Sequence, residues 1–300
     1  MADERTSQSD GVEERKAITN NPLVSIITPV LNGIKYLETC IQSVLNQGYP
    51  YIEHIFVDGG SSDGTLDMLS NYKTKYPDRI RFVSEPDRGV GEALNRGLKM
   101  AKGEIFGWLD SDDVYEADAI MTVVEFFKSN PDAYFVFGEG NIINEAGEVI
   151  RKFQTKEFDL AEVINDRCYI LLTSAFYRRE VIERVGLFNT LGNDVDFWIR
   201  VAKQFQMHRI EKILSNWRLH EDSISISGET NKRRMVRQRF REDYLLCRQY
   251  GGSIFAPRCR RYFMFVILDS LGLYYFVNFV ILAKLRRYAF IDRVLRMLGA

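Results

Sequence analysis

Short apolar runs alternate with amphipathic stretches along the first half of the chain, and this alternation constrains the fold more than any other feature. The runs have the length of buried strands, and the stretches between them have helical spacing. The predicted strand and helix pairs are residues 24–28 with 36–45, 52–57 with 66–76, 80–83 with 93–100, and 105–109 with 119–127. Repeated strand–helix units predict an α/β fold with a mostly parallel sheet flanked by helices.

The composition is that of an ordinary folded protein of 300 residues, 46% of them hydrophobic, which excludes collagen-like, disordered and disulfide-scaffold classes. Cys40, Cys168, Cys247 and Cys259 are scattered and form no metal-binding or redox pair, which fits a reducing cytoplasm. Residues 1–21 are polar and lack the apolar core of a secretory signal. We expect them to form a mobile N-terminal tail.

The last quarter of the chain is basic, because residues 230–300 hold 15 Lys and Arg against 4 Asp and Glu, a net charge of +11. Arginine clusters flank an apolar run over residues 262–283, which Asp269 interrupts and Gly272 can split into two helices. We expect residues 229–300 to form a helical appendage at a membrane surface. The alternative is that its apolar faces cover the main domain. Nucleic acid is not an expected partner, since no recognition module accompanies the charge.

Carboxylates follow the predicted strands, at the edge where parallel sheets bind ligands. In Asp110-Ser111-Asp112-Asp113 the first and third side chains can converge as oxygen ligands for magnesium or manganese. Helix capping, the alternative, accounts for one carboxylate of the three. Asp58 can accept a hydrogen bond from a base N–H or bond its own backbone in a turn. Asp63 is expected to cap the next helix.

Several segments together carry a family resemblance. They are residues 24–32 (VSIITPVLN), 57–65 (VDGGSSDGT), 84–89 (SEPDRG) with 95–97 (NRG), and 109–113 (LDSDD). In order and spacing this set resembles the family 2 glycosyltransferases with a GT-A fold, over residues 24 to about 225. The resemblance implies a catalytic domain over residues 22–228, a nucleotide-sugar donor such as a UDP-sugar, inverting transfer, and a divalent cation, manganese or magnesium.

The resemblance also implies roles for residues that follow the strands. Those implied to bind the donor are Thr28, Pro29 and Asn32 at the nucleoside, Asp58 at the base, and Asp110 near the ribose and sugar. Asp112 is implied to contact the metal. Asp87 and Arg88 lie in a loop that approaches the donor in similar proteins, and solvated surface is an equal alternative for both.

Residues 192–200 (GNDVDFWIR) look like the family segment E-D-x-D-[LF]-W-x-R, in which the second acidic position is the general base. This assigns the base to Asp194. Asn193 departs from the usual acidic first position. Asp196 is the competing candidate, and both aspartates can instead favour a helix N-terminus through its dipole.

Residues 217–225 (WRLHEDSIS) resemble the closing family stretch Y-R-x-H-x-x-S-x-S. Arg218 is expected at the donor diphosphate and His220 at the metal, although a lone histidine can equally be a satisfied surface residue.

The expected function is transfer of a sugar, a hexose by family habit, from a nucleoside-diphosphate sugar to a hydroxyl of a glycan or lipid-linked acceptor. The resemblance and the basic tail favour surface polysaccharide biosynthesis at the cytoplasmic face of the cell membrane, with peripheral attachment. Two alternatives stay open. One is a non-catalytic homologue that binds nucleotide sugar, and the other is a nucleotidyltransferase on a related fold, which releases pyrophosphate.

Overall fold

The computed structural model describes residues 18–153, 155–189, 194–220 and 229–273, with side chains from residue 237 in the last range. Its strands are β1 (Val24–Val30), β2 (Ile52–Asp58), β3 (Ile80–Ser84), β4 (Ile105–Trp108), β5 (Val114–Tyr115), β6 (Phe135–Ile143), β7 (Val149–Phe153), β8 (Ala175–Arg178) and β9 (Met207–Arg218). Its helices are α1 (Ile34–Leu45), α2 (Thr65–Lys75), α3 (Val90–Met100), α4 (Ala119–Ser129), α5 (Leu160–Asn165), α6 (Arg179–Val185), α7 (Asp194–Ala202), α8 (Glu229–Gln249) and α9 (Pro257–Ser270).

The described strands form one mixed sheet in the order β3-β2-β1-β4-β8-β6-β9-β5, with β7 paired to β6. The first four strands are parallel, as the sequence pattern predicts. β8 is antiparallel to both β4 and β6 and so joins the predicted half of the sheet to the rest. Register places Val30, Asp58 and Ser84 side by side at the carboxyl edge.

Helices cover both faces of the sheet, so successive strand residues enter different cores. Ile26 packs into one hydrophobic cluster and Ile27 into the other, and Phe176 and Tyr177 of β8 divide in the same way. Because both faces are buried, the central strands read as continuous apolar runs without polar alternation. This is the reason that β1, β2 and β4 are visible in the sequence.

Several elements beyond residue 133 follow the sequence less closely. The apolar residues at 133–137 lead into the long strand β6, and the polar residues 144–147 form the turn that joins β6 to β7, with Gly147 at φ +87°. β9 carries exposed charged residues, and it is held by parallel pairing to β6 with two register shifts. Neither β8 nor β9 is predicted, because long-range pairing rather than local pattern makes them strands.

The C-terminal helices pack on each other through aromatic side chains. Phe240 stacks on Phe265 with ring centroids 5.2 Å apart, and Tyr244 stacks on Tyr262 at 4.8 Å. α9 ends just before Gly272, which has φ +69°, so the apolar run is interrupted where expected. The rest of that run, from residue 274, lies outside the described residues. Within the described ranges no helix combines the length and apolar character needed to span a bilayer.

At the other end of the chain, residues 1–17 of the expected tail lie outside the described residues. Thr19 donates hydrogen bonds from its backbone N–H and its hydroxyl to the Glu104 carboxylate, at 2.9 and 2.5 Å.

Candidate active site

The loops that follow the four parallel strands touch one another at the carboxyl edge of the sheet. A Cβ placed on Gly33, after β1, would lie 3.2 Å from Ser111 Oγ, after β4. A Cβ on Gly59, after β2, would lie 2.9 Å from the Asp87 carboxylate, after β3. Glycine lets these backbones approach closely. The structure therefore gathers the predicted donor-binding segments into one continuous rim.

Asp58 is fully buried at the end of β2. Its Oδ2 accepts hydrogen bonds from the backbone N–H groups of Gly60 and Ser61, both at 3.0 Å, and from Ser84 Oγ at 2.6 Å. Burial acts to raise the pKa of Asp58, but hydrogen bonds from Ser61 and Ser84 hold it below the ordinary value. Oδ1 is buried with no partner among the described residues. Asp58 is thus a fixed carboxylate with one acceptor atom unused.

The three residues predicted around a nucleoside differ in exposure. Thr28 is fully buried, and its hydroxyl lies 2.8 Å from His54 Nε2 inside the sheet. The Thr28 side chain is therefore engaged inside the sheet, and its contact with a nucleoside stays a prediction. Pro29 is half-buried, and Asn32 is exposed at φ +51°. The Asn32 Oδ1 accepts the N–H of Ser62 at 2.9 Å, tying the first two loops together.

Asp110 and Asp113 are held by different parts of the fold. Asp110 Oδ1 accepts the indole N–H of Trp108 at 2.7 Å, and burial with the nearby charges of Asp112 and Asp194 raises the pKa of Asp110 to about 7. Asp113 is fully buried and accepts the backbone N–H of Arg218 at 2.7 Å. Burial and its two acidic neighbours raise its pKa well above the ordinary value. The capping alternative does not apply to this segment, because α4 begins further along the chain.

Asp112 pairs with His220, with Oδ2 and Nε2 2.8 Å apart. The Tyr36 ring lies against the imidazole with centroids 4.8 Å apart. Within the ranges covered by the structure, no three His, Cys, Asp or Glu side chains cluster tightly enough to bind a metal by themselves. Magnesium and manganese sites often use one or two protein ligands and take the rest from substrate phosphates and water. Asp112 and His220 therefore fit a cation site that a donor diphosphate completes.

Arg218 is buried beneath this pair, where its guanidinium donates to main-chain carbonyls. Nε donates to Asp112 at 2.8 Å, and Nη1 donates to Asn144 at 3.1 Å and to Glu145 at 3.0 Å. The guanidinium also lies over the Tyr36 ring, 4.8 Å from its centroid. These bonds make Arg218 a residue that positions the Asp112 loop, and its contact with the donor diphosphate stays a prediction.

Asp87 and Arg88 lie at the rim. Asp87 is half-buried and accepts the N–H of Gly89 at 2.8 Å, with its other oxygen facing Gly59. Arg88 is exposed, and its backbone N–H donates to Glu92. The alternative that these residues are solvated surface fits the exposed Arg88 better than the half-buried Asp87.

Asp194 is the first residue of α7, and its side chain is half-buried. Burial raises its pKa, while the N–H of Val195 at 3.0 Å and the charge of Arg239 act in the opposite direction. Its negative charge also contributes to raising the pKa of Asp110. Asp196, the competing candidate, is engaged by Arg200 Nε at 2.9 Å and the Tyr250 hydroxyl at 2.6 Å. The preceding Asn193 lies outside the described residues.

Sequence reasoning misses three residues that shape the site, namely Trp108, Tyr36 and Arg239. Trp108 lies two residues before Asp110, so the two-residue period of a strand is a usable signal for it. Tyr36, on α1, contacts His220, and Arg239, on α8, acts on the pKa of Asp194 through its charge. No local pattern marks either residue.

A mixed α/β sheet that carries these carboxylates at its carboxyl edge has the GT-A architecture of nucleotide-sugar-dependent glycosyltransferases. The chain belongs to the family described as Glycosyl transferase family 2, which matches residues 25–186.

Two curated relatives illustrate the sequence similarity. An uncharacterized glycosyltransferase of Rickettsia felis is 31% identical over 220 residues, covering 68% of this chain and 35% of the relative. A chondroitin synthase of Escherichia coli is 29% identical over 215 residues, covering 71% of this chain and 31% of the relative. The chain thus spans about a third of the length of these relatives.

Two solved structures share the fold. The mannosyltransferase PcManGT of Pyrobaculum calidifontis, in complex with GDP-Man and Mn²⁺, gives a TM-score of 0.58 at 20% identity, covering 85% of this chain and 72% of that one. S. aureus TarS 1-349 in complex with UDP-GlcNAc gives 0.56 at 17% identity, covering 80% and 71%.

Proposed function

We propose that this protein transfers a hexosyl group from a nucleoside-diphosphate sugar to a hydroxyl of a glycan or lipid-linked acceptor, with inversion at the anomeric carbon. The observation that carries the proposal is the shared edge of the sheet. There the unused oxygen of Asp58 and the Asp112–His220 pair follow separate strands, and the charge of Asp194 acts on the pKa of Asp110 beside them. The GDP-Man and UDP-GlcNAc complexes of similar folds support a nucleotide-sugar donor.

The donor base has a defined place in this proposal. Asp58 Oδ1 accepts a base N–H, since a buried carboxylate oxygen without a partner gains most from such a bond. Gly59 and Gly60 allow the backbone to approach the nucleoside. Leu31, 62% exposed, offers apolar surface beside Gly59. Because the remaining bonds of Asp58 are made by the protein, its position is set before the donor arrives.

Asp112 and His220 are the residues that would hold a manganese or magnesium ion. Such an ion, when bound, neutralises the charge of the diphosphate leaving group. Arg218 keeps the main chain of Asp112 in place beneath the pair. The Asp110 carboxylate is oriented by Trp108, and the charges of Asp112 and Asp194 both raise its pKa.

Asp194 acts as the general base. It accepts the proton of the acceptor hydroxyl while that oxygen bonds to the anomeric carbon and the bond from the anomeric carbon to the diphosphate oxygen breaks. Attack from the face opposite the leaving group inverts the configuration. The raised pKa makes the carboxylate a stronger base than an exposed aspartate.

The cellular setting belongs to the same proposal. The relatives named chondroitin synthase and hyaluronan synthase support a role in surface polysaccharide biosynthesis. The net charge of +11 over residues 230–300 supports a peripheral position at the cytoplasmic face of the membrane.

The test is release of nucleoside diphosphate from a panel of UDP- and GDP-sugars in the presence of manganese. Asp194→Asn is expected to reduce release by about 10²–10⁴-fold, the range for losing an acid–base group. Asp112→Ala, which removes a proposed metal ligand, is also expected to reduce release. The exposed surface aspartate in Asp78→Asn is the matched control and should behave as wild type.

Equal release from all four proteins would contradict the assigned roles. Release of pyrophosphate in place of nucleoside diphosphate would identify a nucleotidyltransferase. Donor-dependent thermal stabilisation of the wild type without any release would identify a binding protein.

A further inference from the structure

Exposed apolar side chains are concentrated at the C-terminal end of the described chain. Thirteen large hydrophobic residues are exposed among the described residues, and eight of them lie between residues 254 and 273. These eight are Ile254, Phe255, Phe263, Met264, Val266, Ile267, Leu271 and Leu273. A contiguous exposed apolar surface of this kind marks an interaction site, whereas scattered exposed residues do not.

One face of α9 carries the centre of this surface. Met264, Ile267 and Leu271 follow one another at spacings of three and four residues, which places them on a single helical stripe. They are 56%, 58% and 63% exposed. The opposite side of α9 contacts α8 through Cys259 and Tyr262. We call Met264, Ile267 and Leu271 the α9 stripe.

Arginines border the stripe. Arg260, exposed, lies one turn before Met264 on the same face. On α8, exposed Arg237 and Arg241 are four residues apart and so share one face of that helix. An apolar stripe bordered by arginines is the composition of helices that lie in the interface of anionic membranes.

The dimensions of α9 fit this placement. Its 14 residues give a length of roughly 21 Å, less than the ~30 Å hydrocarbon core of a bilayer. Asp269, near its end, is costly at the centre of a bilayer but tolerated at the interface. A helix of this length and composition is suited to lie along a membrane surface.

We propose that the α9 stripe, with Phe255 before it and the bordering arginines, inserts into the headgroup region of an anionic membrane and orients the site towards it. The inference rests on the proposed function for its purpose, since a lipid-linked acceptor would be held at that surface. It identifies the partner as an anionic lipid bilayer and the contact as one helical face.

Hydrogen bonds join the C-terminal helices to the elements that carry the candidate site. Arg258 Nη2 donates to the carbonyl of Val163 at 2.9 Å, and Arg261 Nη1 donates to the Asp166 carboxylate at 2.6 Å. The Tyr250 hydroxyl, at the junction after α8, donates to Asp196 of α7 at 2.6 Å. These bonds hold α7, which begins with the proposed base, at a fixed position relative to α9. A docked α9 therefore keeps the acceptor side of the site near the bilayer.

The experiment is co-sedimentation of the full chain with phosphatidylcholine vesicles and with vesicles that also contain phosphatidylglycerol. We expect the wild type to bind the anionic vesicles. M264E/I267E should partition onto them at least about tenfold less, since each substitution replaces an apolar side chain that would insert into the membrane. R237Q/R241Q should lose binding mainly to the anionic vesicles. V149E/I150E, which changes the exposed apolar pair on β7, is the matched control and should bind as wild type.

If M264E/I267E binds the anionic vesicles as strongly as the wild type does, the proposal is overturned. Absence of wild-type binding would overturn it as well. If the wild type does not bind, an unfolding temperature of M264E/I267E below that of the wild type would indicate that residues 274–300 cover the α9 stripe. A wild-type dimer that M264E/I267E converts to a monomer in analytical ultracentrifugation would indicate that a second copy of the chain covers it.

Vesicle binding is measured without turnover, so the proposed function is tested separately. Asp194→Asn should bind vesicles as wild type does, and M264E/I267E should release nucleoside diphosphate in detergent solution at the wild-type rate. If the wild type binds vesicles but shows no turnover, the proposed function is contradicted and the membrane contact through the α9 stripe is still supported.

Discussion

The donor half and the acceptor half of the site are assembled in different ways. The proposed donor half comprises β1 to β4 and the residues directly after them, up to Asp110, and its polar residues follow buried strands. The proposed acceptor half comprises Asp112, Asp113, the end of β9 and α7. The acceptor half depends on distant contacts, such as those of Asp113 with Arg218, Asp112 with His220 and Asp196 with Tyr250. The comparison teaches that local segments are enough to place the proposed nucleotide-binding residues at a sheet edge, whereas the proposed base and metal ligands are positioned by contacts between distant parts of the chain.

The largest expected effect in the donor half comes from Asp58→Asn. The substitution removes the charge from an acceptor that we assign to the donor base, and hydrogen bonds to charged groups contribute about 1.5–3 kcal/mol. The KM for the donor should rise about 10–100-fold, with a much smaller change in kcat. Steady-state kinetics check this, with Asp78→Asn as control. A fall in kcat at unchanged KM would mean that Asp58 acts on the acceptor half instead.

A comparable or slightly smaller effect is expected for Arg218→Lys, in the acceptor half. Lysine keeps the charge but cannot reproduce the bonds from one guanidinium to three carbonyls. By disturbing the Asp112 loop it should raise the manganese concentration for half-maximal activity about 10-fold or more, as changes behind metal ligands do. Arg151→Lys, at an exposed position on β7, should leave the manganese dependence unchanged. If Arg218→Lys and Arg151→Lys show the same manganese dependence, Arg218 does not position the Asp112 loop.

A moderate effect is expected on stability in the donor half. A Cβ at Gly97 would lie 2.4 Å from Ile27 Cγ2, so Gly97→Ala forces α3 away from β1. Overpacking of this kind costs about 1–3 kcal/mol of unfolding free energy. Gly48→Ala, where a Cβ meets no atom within 4 Å, is the control and should be close to neutral. Urea denaturation measures both, and equal stabilities would show that α3 is not held closely against β1.

The smallest expected effect is on the pH profile of the acceptor half. The base must be deprotonated, so kcat falls as pH drops through the pKa of Asp194, and burial places that limb above the ordinary aspartate range. Arg239→Gln removes a positive charge that favours the carboxylate, so the pKa rises and the acidic limb moves to higher pH. A limb that stays in place or moves to lower pH would argue against an Arg239–Asp194 interaction.

The sequence predicts the donor half well because its information is local. The parallel strands β1 to β4 are buried on both faces, and a strand buried in this way is legible as an apolar run. Asp58 and Asp110 follow those strands directly, so their shared edge can be expected. Thr28 shows the limit within this half, because the pairing partner that buries its hydroxyl, His54, lies on another strand.

The acceptor half could be predicted only through the family resemblance. β9 reads as a mixed polar segment, and its pairing to β6 decides both its conformation and the place of Arg218. Arg218 itself looks like a phosphate ligand in the sequence, where its carbonyl partners cannot be seen. The environment that raises the pKa of Asp194 likewise comes from burial by distant segments, which no local pattern encodes.

The central claim is that both halves meet at one cation-dependent site. Diffraction data collected near the manganese absorption edge, from crystals grown with manganese and the nucleoside diphosphate that the enzyme releases, test it most directly. The account predicts an anomalous peak at Asp112 and His220 and the nucleotide's base bound against Asp58. Asp194 should lie across the same crevice. A peak elsewhere, or a nucleotide bound away from Asp58, would contradict it.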